Sequence, residues 1–246
     1  DHRDLHSFPT RRSSDLIFIG FVHISGLESN FANNILKERD LNGEYTGLHD
    51  FIERLQPGME QLILLIRTGA LRFSGMSKQQ LLWESHMLSS KKPVPAEAVL
   101  FRQPVKQFNL PALVHDQLED AYDEIELIDF PVSMTYFDML KTHYRGDIQA
   151  HQLSAALGQV LKMVGVLVTI KYVRTIKNEI MYFGTFLDSQ GEFFDTVHFP
   201  DIARAFPFRG RGVYLILGKV VEEFGFPSLE TIKMAKLPLQ SDPRYS

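Results

Sequence analysis

The residues best equipped for chemistry in this chain are cations set beside aromatic rings. Lys171, Arg174 and Lys177 follow one another closely, Tyr182 and Phe186 lie just downstream with Gly184 between them, and Arg209 and Arg211 flank Gly210. Rings offer faces on which bases stack, at about 1–3 kcal/mol each, and cations track a phosphate backbone, so the pairing suits sequence-tolerant binding of a single strand. The competing explanation is plain packing, because aromatic side chains are mostly core material. Bond-making chemistry has less to work with. Two-metal chemistry on phosphates needs carboxylates set around ions about 4 Å apart, and no Asp-x-Asp pair that could present two of them together occurs anywhere. Gly-x-Ser-x-Gly and P-loop patterns are absent, which removes two common nucleophile and phosphate signatures. The nine histidines show no ligand spacing, and there is no cysteine, so thiol nucleophiles, disulfides and thiolate zinc sites go together. No catalytic residue, metal site or cofactor is therefore expected within these residues.

The cations and rings fall inside a run of short apolar segments. Lys162 to Arg174 is rich in Val and Ile and ends at Thr175-Ile176-Lys177-Asn178; Ile180 to Leu187 closes at Asp188-Ser189-Gln190-Gly191; Phe193 to Phe199 is a third segment. Pro200 to Phe206 reads as one or two helical turns, with Pro where a missing N–H costs least. Gly212 to Glu223 is a fourth strand, and Leu229 to Ala235 a fifth after Gly225-Phe226-Pro227. Three strands, a short helix and two strands is the order of a five-stranded oligonucleotide-binding (OB) barrel, whose ligands are oligonucleotides or oligosaccharides. Along the second strand, either Tyr182 and Phe186 or Met181, Phe183 and Thr185 must fill the interior. We expect Tyr182 and Phe186 outward, with Gly184 leaving room for a ligand.

The chain has 246 residues, 44% hydrophobic and 23% charged, enough for one or two modest cores. Its net charge of -4 gives no global basic field, but the balance is uneven: 11 Lys or Arg stand against 9 Asp or Glu from Gln159 onward, and 6 against 10 over Ser89 to Ala150. The longest apolar stretch, Val164 to Val173, is too short to span a bilayer, and no membrane partner is expected. Residues 1–16 show no periodicity and look like a translated sequencing adapter; they are expected to be a disordered artefact, or else a basic arm, ahead of a fragment. From 17 to 90 the pattern is helical with short connections, including the turn Ile24-Ser25-Gly26-Leu27. A helix, such a turn and a second helix form a helix-hairpin-helix, whose backbone N–H groups can face a phosphate. An ordinary turn remains the alternative, since Glu28 stands where a second Gly would normally sit.

Residues 91–158 read as a Pro-containing extended linker plus one amphipathic helix near Gln117 to Phe130, whose acidic side is expected to face solvent. Gln107, Phe108 and Leu110 in the linker loosely resemble the Gln-x-x-Leu peptides by which polymerases hold a sliding clamp, or are plain linker. The barrel takes 159–240 and a tail 241–246. The fold class expected is thus multi-domain α+β, a helical module followed by the barrel.

An ordered set of segments carries a wider resemblance. Ile19-Gly20-Phe21-Val22-His23-Ile24-Ser25-Gly26-Leu27, Leu48-His49-Asp50-Phe51 and Leu65-Ile66-Arg67-Thr68-Gly69-Ala70 are similar to the helix-hairpin-helix region of the bacterial C-family DNA polymerases, the DNA polymerase III alpha subunits. Phe130-Pro131-Val132-Ser133 resembles the segment before that family's OB domain, without the usual Gly-His-Pro continuation. Val173-Arg174-Thr175-Ile176-Lys177, Met181 to Asp188 and Val197-His198-Phe199-Pro200 resemble its first three strands. The resemblance implies a cytoplasmic bacterial protein that holds single-stranded template on the barrel and duplex near the helices, in DNA replication or lesion bypass, with the sliding clamp as a further partner. It also implies a parent nucleotidyltransferase that uses magnesium at carboxylates lying outside these residues. The alternative is a free-standing OB module that binds single strands with no polymerase attached.

Overall fold

A computed structural model of the chain describes residues 19–89, 116–223 and 225–245. The described residues fall into two compact units, one of residues 19–89 with Asp123–Asp129 and the other of Asp116–Tyr122 with the residues from Phe130 onward. The adapter-like residues 1–16 and the clamp-peptide residues Gln107, Phe108 and Leu110 lie outside the described residues. Among the described residues no helix is long and apolar enough to cross a membrane.

The first unit holds α1 (Ser29–Asn42), α2 (Leu48–Leu55), α3 (Met59–Arg67), α4 (Lys78–Ser89) and the C-terminal part of α5 (Gln117–Ile128). Gly43 stops α1 at φ 82°, and Ser77 starts α4 through a reciprocal capping box with Gln80. Ile35, Leu48, Phe51, Leu62, Leu65, Ile66, Leu71 and Leu81 form its core, joined by Ile128. Arg54 ties α1 to α2, donating to the Glu38 carboxylate at 3.1 Å and the Gly43 carbonyl at 3.0 Å while lying 4.3 Å over the Tyr45 ring.

The acidic side of α5 is not solvated as the helical period suggests. Asp123 and Glu124 are buried. Arg67 donates to Asp123 at 2.8 Å and to Glu126 at 2.6 Å, Arg72 reaches Glu124 at 3.4 Å, and Lys78 pairs with Asp123 as well. Cations 45 to 59 residues away in sequence turn a polar face into a packed one.

The second unit is a closed barrel with strand order β1-β2-β3-β5-β4, where β1 is Val160–Arg174, β2 Ile180–Leu187, β3 Phe193–His198, β4 Val213–Glu223 and β5 Phe226–Lys236. The short α6 (Pro200–Ala205) sits between β3 and β4 in sequence. At 15 residues, β1 is long enough to pair antiparallel with β4 over Val160 to Val166 and with β2 from Val166 to Arg174. A parallel seam, Thr196 beside Leu229 and Val197 beside Glu230, closes the cylinder. This topology and closure are those of an OB barrel attached to a helical module.

Residues 130–158 are part of this unit rather than a linker. Leu153 and Ala156, from a 3-10 helix over Ala150–Ala156, enter the barrel core with Met163, Phe186, Phe194, Tyr214, Ile216 and Leu229. Phe137 and Leu140 pack on Val164 and Val213. The segment is pinned by backbone and carboxylate contacts: Asp147 N–H donates to Lys162 O at 2.7 Å, Lys162 N–H donates to the Asp147 carboxylate at 2.8 Å, and buried Asp188 accepts from Ala150 N–H at 2.8 Å.

Candidate nucleic-acid interface

Directly opposed residues of an antiparallel pair point to the same side of the sheet, so register decides which rings can meet a ligand. Phe186 lies opposite Leu167, and both are buried. The expectation that Phe186 faces outward is therefore wrong: its ring is 0% exposed, stacked on Phe194 at 5.5 Å and near Phe208 and Tyr214. Tyr182 shares that inner side, half-buried, with its ring edge-on to Phe208 at 5.8 Å. Gly184 leaves room for the protein and not for a ligand. A Cβ there would stand 2.8 Å from Thr196 Oγ1, 2.9 Å from the Phe186 ring and 3.0 Å from Phe208.

The outer side of β2 and β3 carries different rings. Lys171 is opposite Phe183, which is opposite Val197; Thr169, Thr185 and Asp195 make the next row, and Leu187 with Phe193 the one after. Phe183 is 36% exposed and Phe193 65% exposed, so these two offer the accessible ring faces that base stacking requires. Thr185 donates to Asp195 at 2.6 Å, which leaves one carboxylate, engaged by its neighbour, between the rings.

The cations do not share one face. Lys171 points with Phe183, whereas Arg174 is opposite Ile180 and points with Tyr172 and Tyr182. Lys177 lies in the turn beyond, exposed. Arg209 and Arg211 are exposed in the loop before β4. That loop is fixed by Tyr214, which accepts from Arg209 N–H at 2.8 Å and donates to Gly210 O at 2.6 Å. Leu167 N–H donates to Gly212 O at 2.9 Å, so Arg211 stands at the base of the β1–β2 hairpin. Arg211, Lys171, Arg174 and Lys177 therefore follow the hairpin from base to tip, distributed over both of its sides.

Beneath this surface, His198 is buried with its Nε2 2.8 Å from Thr196 Oγ1. The Thr196 hydroxyl donates to Gly184 O at 3.1 Å, so the imidazole must donate from Nε2 and keep Nδ1 unprotonated. Burial pushes the imidazole down to about 4, and Nδ1 finds no partner among the described residues. His198 is a packed core group.

In the helical unit the hairpin is built with Gly26 at φ 79°, a left-handed conformation that Gly adopts without strain. Its donors, however, are largely spent. Ser25 N–H bonds Leu127 O at 2.7 Å, Leu27 N–H bonds Ile24 O at 3.2 Å, and Glu28 N–H bonds the Gln61 side chain at 2.8 Å. Gln61 also donates to Gly26 O at 3.2 Å, which locks the turn from below. The exposed N-terminus of α1 has no side-chain cap, but the Glu28 carboxylate stands beside it. Phosphate approach to Ser25, Gly26 and Leu27 thus meets internal bonds and a like charge. Among the described residues no three His, Asp or Glu side chains come together as metal ligands.

Comparison with known proteins bears on the helical part. Residues 5–81 match a helix-hairpin-helix motif family. The chain is 29% identical over 75 residues to an error-prone DNA polymerase of Mycolicibacterium paratuberculosis, and 33% identical over 75 residues to one of Mycobacterium tuberculosis H37Rv. Each match covers 30% of this chain and spans 7% of the polymerase. A solved lipoprotein structure from Klebsiella pneumoniae aligns with 36% of this chain and 78% of its own, at 21% identity and a TM-score of 0.29, too loose a superposition to bear on fold or function. The chain thus contains a helix-hairpin-helix region, a 75-residue stretch similar to part of error-prone DNA polymerases, and an OB-type barrel.

Proposed function

We propose that this chain is the C-terminal DNA-binding portion of a bacterial DNA polymerase III alpha-type subunit, with its OB barrel holding single-stranded template. The observation that carries this reading is the outer barrel face, where Phe183 is exposed beside Lys171 and Phe193 is exposed two rows along, in one chain with a helix-hairpin-helix region and a 75-residue likeness to error-prone polymerases. Rings within reach of a cation are what sequence-tolerant strand binding needs. The helical unit, with its hairpin donors engaged internally, serves mainly as a structural mount beside duplex. Lesion bypass is favoured over bulk replication by the error-prone character of the relatives. Nucleotide transfer, and the magnesium it uses, belong in this reading to parts of the parent enzyme other than these residues, and the clamp is a further partner of the parent.

The test is a titration of fluorescent oligo-dT with the purified chain over a series of salt concentrations. Neutralising Z phosphates releases counterions, so log K should fall with log salt at a slope of about −0.7Z, with Z of roughly 2–4 for the cations along the hairpin. A flat salt response, or no binding at low salt, would remove the barrel as a strand-binding site.

A further inference from the structure

The β1–β2 hairpin runs past the end of β3 at His198, and on its inner side apolar residues continue outward to an exposed end that also carries Arg174. The register slips by one residue between Leu167 and Thr169, making Val168 the extra residue of a bulge that re-aims the strands. Beyond it, the side that holds Phe186 inside the barrel continues into Ile170, Tyr172, Ile180 and Tyr182. From Phe186 at 0% exposure the side opens to 37% at Ile170 and 68% at Tyr172, and Ile180, farthest out, is 40% exposed. At the apex Ile176 is 107% exposed. An isoleucine there has nothing of its own unit to pack on.

The tip that carries Ile176 is rigidly built. Asn178 N–H donates to Thr175 O at 2.8 Å, Thr175 N–H to Glu179 O at 2.9 Å, and Glu179 N–H to the Thr175 hydroxyl at 3.2 Å. Asn178 takes the left-handed conformation at φ 61° and accepts from Arg174 at 3.1 Å; Asn tolerates that conformation in turns. The charge of the arm selects its partner. Residues 168–183 hold Lys171, Arg174 and Lys177 against one acid, Glu179, and that acid is paired with Arg204 at 3.3 Å. A cationic ribbon with an apolar apex fits a polyanion that presents a hydrophobic step. Nucleic acid does so at the end of a base-paired stack, where apolar side chains wedge between bases and pay for unstacking with added contacts.

We propose that the β1–β2 arm is a wedge for the junction between single- and double-stranded DNA. Ile176 abuts the last base pair, Arg174 and Lys177 meet the phosphates beside it, and Tyr172 stacks on an unpaired base about 13 Å back along the arm at strand rise. This rests on the reading of the barrel as a DNA-binding module and adds a ligand geometry to it.

The experiment places 2-aminopurine at the first paired position of a forked duplex and titrates in the 246-residue chain, with oligo-dT and blunt duplex in parallel. The wild-type chain should bind the fork about tenfold more tightly than either and raise the probe's fluorescence as its stacking is lost. Ile176→Ser should abolish the rise and cost about tenfold in fork affinity, with less than about a twofold change for oligo-dT, while Ile176→Met retains both. The side chain touches nothing in its unit, so circular-dichroism melting should be the same for all three chains. A fluorescence rise that persists in Ile176→Ser, or a fork bound no better than oligo-dT, overturns the wedge and leaves the barrel reading intact. Failure to bind oligo-dT at low salt overturns both. Light scattering that shows Ile176→Ser converting an oligomer into a monomer assigns the apex to a protein contact and equally overturns the wedge.

Discussion

The two units differ in the polar groups they bury and in those they leave outside. In the helical unit, polar groups are turned inward: the α5 carboxylates are buried against Arg67, Arg72 and Lys78, and the hairpin N–H groups are satisfied by Leu127, Ile24 and Gln61. In the barrel the buried polar groups are uncharged hydroxyls and an imidazole, Thr196, Thr231 and His198, together with Asp188, which accepts from backbone N–H groups, and rings and cations remain on the outer wall and the β1–β2 arm. The region that matches the helix-hairpin-helix motif family is thus the less prepared to meet a phosphate. Likeness of a motif reports on how a turn is built, and free donors and accessible rings report on whether it can bind.

The sharpest way to break this contrast is within the barrel. Phe186→Ala removes a fully buried ring and should lower stability by about 3–5 kcal/mol, whereas Phe183→Ala and Phe193→Ala should each cost about 1 kcal/mol or less. Chemical denaturation of the three variants checks this, and equal losses would mean that inner and outer sides have been exchanged. In the helical unit the comparable site is electrostatic. Asp123→Ala strands Arg67 and Lys78 in a part-buried site and should cost about 3 kcal/mol, while Glu126→Ala, at the exposed end of the same network, should cost under about 1 kcal/mol.

The third difference is in pH dependence. His198 sits in the barrel with a folded-state value near 4, against 6.5 for an ordinary imidazole. Between those values the unfolded chain binds the extra proton, so the contribution is complete above about 6.5 and is lost as pH falls toward 4. The loss is about 3 kcal/mol across the window. The groups packed around the ring, Thr196, Thr231 and Phe208, do not titrate. His198→Gln should flatten the barrel's stability between pH 6.5 and 4 and leave the helical unit's acid response unchanged; melting curves across that range test it.

The elements themselves were largely legible. Ile180–Leu187, Leu48–Leu55 and Met59–Arg67 have ends marked by turn residues, Pro or Gly, and the structure places them at those bounds. The order of strands announced the barrel. The side of β2 that faces inward was not legible, because Met181, Tyr182, Phe183 and Phe186 put apolar rings or thioethers on both sides of the alternation. Only the pairing of Phe186 with Leu167 and Phe194 decides it. Phe193, first in its strand, carried no signal beyond hydrophobicity. The burial of Asp123 and the capture of Ser25 N–H by Leu127 depend on partners 45 to 102 residues away, which no local period reveals. Residues 130–158 lack any period at all, and read as a connector for that reason.

The central claim is that a strand binds on the outer wall of the barrel rather than at the hairpin. The most direct measurement is the oligo-dT affinity of the Phe183→Ala, Phe193→Ala double variant beside that of Glu28→Arg, at one low salt concentration. The account predicts a loss of about tenfold or more for the double variant and a change of less than about threefold for Glu28→Arg. Unchanged binding in the double variant, together with a large gain in Glu28→Arg, would contradict it and move the site to the helices.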